Sequence, residues 1–144
     1  MRRRYYSGTT TVEFAIVAVV LFTMILGVLE IGRGYYVYAM LDEVTRRGAR
    51  LAAVCRVNDP AISQLAIFNA SGDASGSKAV NQLTTANVQI DYLDANGNAV
   101  ATPITADPEG TSPEAFVQIR YVRARIVGYS HTIAIPFLSS LTSI

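Results

Sequence analysis

Glu13 stands at the head of an uncharged run, Phe14 to Leu29. An acid in such company is expensive, and one that persists in a membrane segment marks a functional position by default. The chemistry open to it is ion pairing. A carboxylate and a cation attract strongly in an apolar bundle, and leaving either one unpaired is costly. The bland roles are an interfacial acid facing lipid headgroups and one held by the helix N-terminal dipole. A second charged pair closes the run. Glu30 and Arg33 lie three residues apart, so they share a helix face and can neutralise each other or bond across to a neighbour. As an exposed pair they would contribute only a few tenths of a kcal/mol.

The elements around these residues must cross a membrane. With Ile31, Gly32 and the flanking tyrosines, the apolar run reaches the roughly 20 residues that span about 30 Å of hydrocarbon. Arg2, Arg3 and Arg4 precede it and place the N-terminal side in the cytoplasm. Tyr5 and Tyr6 on one side, and Tyr35, Tyr36 and Tyr38 on the other, fall where interfacial aromatics belong. A removable signal peptide would need a small-x-small site after the run. Glu30-Ile31-Gly32-Arg33-Gly34-Tyr35-Tyr36 is a poor one.

A basic leader ending in Gly8, four residues, Glu13 and then an apolar helix together resemble the processing site of type IV prepilins. The continuation Val12-Glu13-Phe14-Ala15, then Gly27-Val28-Leu29-Glu30-Ile31-Gly32-Arg33, then Ala49-Arg50-Leu51-Ala52-Ala53-Val54, resembles TadE-like minor pilins of the tight-adherence system. The likeness weakens through the tail that closes on Ile135-Pro136-Phe137-Leu138. It implies leader cleavage between Gly8 and Thr9 by a prepilin peptidase, with Glu13 and Phe14 as assembly residues. Thr9-Thr10-Thr11 departs from the hydrophobic first residue of many classical pilins. Cutting would remove three arginines, take the formal net charge from +1 to −2, and expose an amine at Thr9. Glu13 would lie four residues on, about 6 Å along the axis. Its carboxylate could hold its own amine or that of an axially displaced neighbour, and so pin the register of packed helices. The implied partners are the peptidase, other pilin or pseudopilin subunits, the inner-membrane assembly platform and the lipid bilayer. The implied location is the bacterial cytoplasmic membrane, single pass, N-terminus inside and C-terminal domain outside, with incorporation in the pilus as a further expectation.

The helix should continue beyond the membrane. Tyr36, Met40, Leu41, Val44, Gly48, Leu51, Ala52 and Cys55 recur mostly at spacings of three, four or seven, an amphipathic stripe. Asn58-Asp59-Pro60 is a stop signal. The pattern predicts a first helix over 10–57, about 70 Å long. Pro60 to Phe68 reads as a short helix, 69–77 as a loop, and Lys78 to Thr85 as another helical turn or two. Alternation at Val88, Ile90 and Tyr92 predicts a strand, Asn96-Gly97 a hairpin turn, and Ala99 to Ile104 the return strand. Phe116 to Val127 reads as a long strand with Val117, Ile119 and Tyr121 on one face, and Tyr129 to Ile135 as a fourth strand. The expected fold is α+β: a long N-terminal membrane-spanning helix, extended outward and packed on a small antiparallel β-sheet, as in pilins. Its parts are a leader over 1–8, a transmembrane helix over 9–34, its extracytoplasmic continuation over 35–57, and a small extracytoplasmic α+β domain over 58–144.

The remaining chemistry is thin. Cys55 is the single cysteine, which excludes an internal disulfide and reads as a small buried residue. His131 is the single histidine, and with one of each no ordinary zinc site is available. Ser130 beside it would face the other way on a strand. Asp91, Asp94, Asp107, Glu109 and Glu114 cluster loosely in expected loops, a weak calcium signal. The near-neutral charge and the lack of a basic patch interleaved with aromatics argue against nucleic acid. Arg46-Arg47-Gly48-Ala49-Arg50 reads as a solvated helix face. No enzyme, metal or cofactor is expected. Two other classes fit the same start: an uncleaved single-pass envelope protein with an outer binding domain, and a pseudopilin of a type II-like secretion system.

Overall fold

A computed structural model describes residues 7–100 and 118–133. The leader arginines, Tyr5 and Tyr6, most of the expected return strand, Asp107, Glu109, Glu114, Phe116, Val117 and the closing 135–138 lie outside the described residues. The elements run α1 (Ser7–Val54), α2 (Pro60–Ala66), a 3-10 turn (Thr85–Asn87), β1 (Val88–Leu93) and β2 (Tyr121–Ile126). Helix and antiparallel sheet are both present, so the α+β class holds.

The chain divides into two compact units, Met1–Tyr36 with Thr132–Ile144, and Val37–His131. In the first, α1 keeps its large apolar side chains outward: Phe14 is 74% exposed and Ile31 72%. None of its most apolar stretch is buried. The one hydroxyl of that stretch, Thr23, donates to the Val19 carbonyl at 2.7 Å, so it leaves no free donor in apolar surroundings. Among the described residues helix already runs from Ser7, ahead of the expected Thr10. That difference lies in a first turn of Ser, Gly and Thr, residues with weak helix propensity, where ends fray.

In the second unit the expected stripe is the packing face of α1. Val44 is fully buried among Ala66, Ile67, Val80, Leu83 and Val88, with Met40 and Leu41 packed against them. Further along, Ala52 packs with Ile62 and Tyr92, and the half-buried Cys55 borders this cluster. Gly48 is the point of closest approach to the sheet: a Cβ there would meet Ala124 Cβ at 3.3 Å and both Ala66 Cβ and Ile90 Cδ1 at 3.5 Å. The helix ends at Val54, three residues before the expected Val57. Asn58 then turns the chain at φ 59°, and the Asp59 carboxylate accepts from the Ala61 amide at 2.9 Å to cap α2, with Pro60 in its first turn. Arg47 lies 5.0 Å from the Phe68 ring centroid, a cation–π contact rather than a solvated charge. Arg46 and Arg50 are exposed, as expected.

The sheet is smaller than the alternation predicts. β1 and β2 pair antiparallel, with Val88 opposite Ile126, Ile90 opposite Ala124 and Tyr92 opposite Val122. These inward pairs cover the helix side. Tyr121, Arg123 and Arg125 face outward, so Tyr121 takes the opposite face from the one expected, and Ile119 packs into the second cluster from irregular chain. Among the described residues the sheet has two strands, not four. Tyr129 to Ile133 forms no strand, and the described start of the return strand makes one bridge, Leu93 to Ala99. Lys78 to Thr85 is turn rather than helix. Ser77 Oγ accepts from the Ala79 and Val80 amides, and Gln82 at φ 63° breaks any continuation. The hairpin turn after β1 is also of another type. Only Gly97 takes positive φ there, while Asp94 Oδ1 accepts from the amides of Asn96 and Asn98 at 2.8 and 2.9 Å.

Two outcomes follow from this packing. Gly48→Leu should lower the stability of the helix–sheet unit by about 2 kcal/mol, because the neighbouring Cβ atoms leave no room. An earlier thermal transition of detergent-solubilised protein would show it. Gly27→Leu, where nothing lies within 4 Å, should leave that transition in place. The Asp94 carboxyl is held below its ordinary value by the backbone amide of Asn98 first, with Asn96 and Gly97 adding to it. A lowered folded value stabilises the turn above the unfolded value and is lost as pH falls through the folded one. Amide exchange at Asn96 and Asn98, referenced to intrinsic rates, should therefore quicken in acid, and Asp94→Ala should remove that pH dependence.

Candidate functional site

The expected processing residues lie in the first turn of α1. Gly8 and Thr9 are exposed, and a Cβ on Gly8 would meet nothing within 4 Å. Ser, Gly and Thr hold a helix weakly, so this turn opens at little cost, as any peptidase needs. Thr9 and Glu13 are four apart and share one face. Glu13 is exposed, and among the described residues no group of this chain pairs with it. Phe14 beside it is equally bare. Among the described residues neither side chain holds its own unit together. Both are available to a neighbour or to lipid.

Glu30 and Arg33 do meet. Arg33 Nη1 lies 3.6 Å from Glu30 Oε1 across one turn, a Coulombic contact too long for a good hydrogen bond. The glutamate side chain is 16% exposed and the arginine 37%. Arg33 also donates from Nη2 to the Thr132 carbonyl oxygen at 3.2 Å. That contact spans 99 positions of sequence, and no local spacing announces it. It gives the guanidinium a second acceptor and ties later chain to the same unit.

The second unit carries another charged group that spacing did not reveal. Asp91 lies in β1, not in a loop. Its Oδ2 accepts from Arg123 Nη2 at 3.0 Å and forms an ion pair with Arg125, whose Nε lies 3.2 Å away, on the outward sheet face. Arg123 stands directly opposite it, and the second arginine comes from the diagonal position. Only the strand register brings these together, so an expected loop acid is a cross-strand ion pair. Asp94 is spent on its turn. Among the described residues no group of three His, Cys, Asp or Glu could hold a metal ion.

With this geometry in place, comparison with known families gives a match. Residues 8–50 fit the family described as TadE-like protein. The matched segment opens on Gly8, takes in Glu13, Phe14, Glu30 and Arg33, and ends within α1. The resemblance to TadE-like minor pilins therefore holds over this helix. Comparison with curated proteins and with solved structures returns no match. The same helix is long and apolar enough to cross a membrane once.

Leu21 and Ile25 lie midway along the bare stretch, 53% and 46% exposed. Arginine at a span centre costs about 3 kcal/mol per residue. The double variant Leu21→Arg, Ile25→Arg should shift the protein from the membrane pellet to the soluble or aggregated fraction after alkaline extraction. The unsubstituted chain should stay in the pellet.

Proposed function

We propose that this chain is a minor pilin or pseudopilin of the TadE-like kind, required for assembly of a tight-adherence pilus. It is made as a precursor, enters the cytoplasmic membrane with its N-terminus inside, and is cut after Gly8 by a prepilin peptidase. The cut frees the Thr9 amine beside a helix whose large apolar side chains are exposed among the described residues. Glu13 then holds the amine of an axially displaced neighbour and fixes how far one helix slides past the next. The observation that carries this reading is a TadE-like segment opening at Gly8 on a helix whose large apolar side chains are exposed, with Glu13 unpaired among the described residues. Other pilin subunits and the inner-membrane platform are its partners. Glu30 and Arg33 sit at the outer end of the span, where their loose pair can exchange for one across the interface. The work is structural.

Two measurements test it. The N-terminal residue of protein purified from envelopes should be Thr9, and Gly8→Ala should leave the leader attached. An intact leader on the unsubstituted protein would refute processing. Separately, Glu13→Leu removes a charge that opposes insertion, so the variant should insert and be cut at least as well as the parent. Piliation should nonetheless fall at least tenfold. Normal piliation with Glu13→Leu would remove the pinning role.

A further inference from the structure

Within the unit Val37–His131, α1 buries one side and leaves a second stripe exposed. That stripe runs Ala39, Glu43, Arg46, Arg50, Ala53, at alternating steps of four and three, the spacing of a helix–helix seam. Arg46 is already neutralised by Asp42, Nη2 to Oδ2 at 3.0 Å. Glu43 and Arg50 are opposite in sign and two turns apart, about 10.5 Å, too far to bond within one helix. Among the described residues neither has an ion-pair partner.

We propose that this stripe docks on the same stripe of a second copy of this chain, offset along the axis by seven residues. The inference rests on the assembly reading above and deepens it. Single-pass insertion with one orientation makes any two copies parallel. In register, parallel copies would set Glu43 against Glu43 and Arg50 against Arg50, and like charges at close range repel. An offset of four would bring Arg46 level with Arg50, again alike. An offset of seven turns the helix through nearly two full turns, so the same face is still presented. It sets Glu43 of one copy level with Arg50 of the other. It also sets each Arg46 opposite Ala39 or Ala53, where a small residue leaves room for the long side chain. Seven residues satisfy charge and bulk together. A stripe that repeats this offset propagates from copy to copy instead of closing on a pair.

The test uses full-length chain in the envelope of its own host, as two differently tagged copies. One carries Glu43→Cys and the other Arg50→Cys. A disulfide needs Cβ atoms about 4 Å apart, so it reports level positions. Cys55 stays in place, the unsubstituted chain sets the background, and linked residues are identified by mass spectrometry. Mild oxidation should give at least fivefold more 43-to-50 linkage between tags than 43-to-43 or 50-to-50. Equal or stronger like-to-like linkage overturns the offset. Linkage of the Glu43→Cys copy mainly to a different protein overturns the second copy as occupant. If a membrane-impermeant maleimide labels Glu43→Cys from outside yet no pair links, the docking inference fails and the assembly reading stands. If the maleimide labels it only from the cytoplasmic side, in inverted vesicles, the orientation is wrong and both fail.

Discussion

Everything in this molecule follows from a helix whose two stretches have different needs. Between Val37 and Val54 the apolar side chains are consumed by the chain's own sheet and loops. Between Gly8 and Tyr36 the large apolar side chains lie open. Burying one side chain of the size of Leu, Ile, Val or Phe is worth about 1.5–3 kcal/mol. So many bare ones together require a lipid or protein environment, and water cannot supply it. In the proposed assembly Glu13 is the cost carried within that environment: apolar packing alone lets helices slide, whereas an ion pair would exist at one offset only.

The second unit is built to be held firmly on its helix. Gly48 lets the sheet approach to within contact of the backbone, and Ile90 and Ala124 fill the space beside it. On the far face of the sheet, Asp91 binds two arginines and so fastens β1 to β2 where few apolar contacts are available. Phe68 accepts a positive φ of 66°, an uncommon state for an aromatic residue, while the Arg47 guanidinium lies over its ring. Asn69 follows it, buried, donating from Nδ2 to the Ser75 carbonyl at 2.8 Å and so closing the loop after α2. These contacts use polar groups to fix position.

Much of this was legible in the residues. The helix, its packing stripe and the stop at Asn58-Asp59-Pro60 could be read because helical period and capping chemistry are local. The short α2 was legible for the same reason, with Pro60 and Asp59 marking its start. The sheet was only half legible. Alternation in Val88, Ile90 and Tyr92 fixed the inward face of β1. Alternation alone could not set the phase of β2, where Tyr121 and Ile119 are as apolar as Val122. Pairing across about 30 positions settled it, placing Val122 against Tyr92. The ion pairs of Asp91 and the reach of Arg33 to Thr132 were illegible for the same cause: both depend on long-range register. Lys78 to Thr85 misled because Ser77 begins a helix-like turn that Gln82 then ends.

The central claim is that Glu13 of one subunit holds the Thr9 amine of another. Assembled material built from two pools, one with ¹⁵N at Thr9 and the other with ¹³C at the Glu13 carboxyl, allows a direct distance measurement by solid-state magnetic resonance. Coupling between pools at ion-pair range, nitrogen to oxygen within about 4 Å, is what the account predicts. No coupling between the pools in well-ordered assemblies would contradict it.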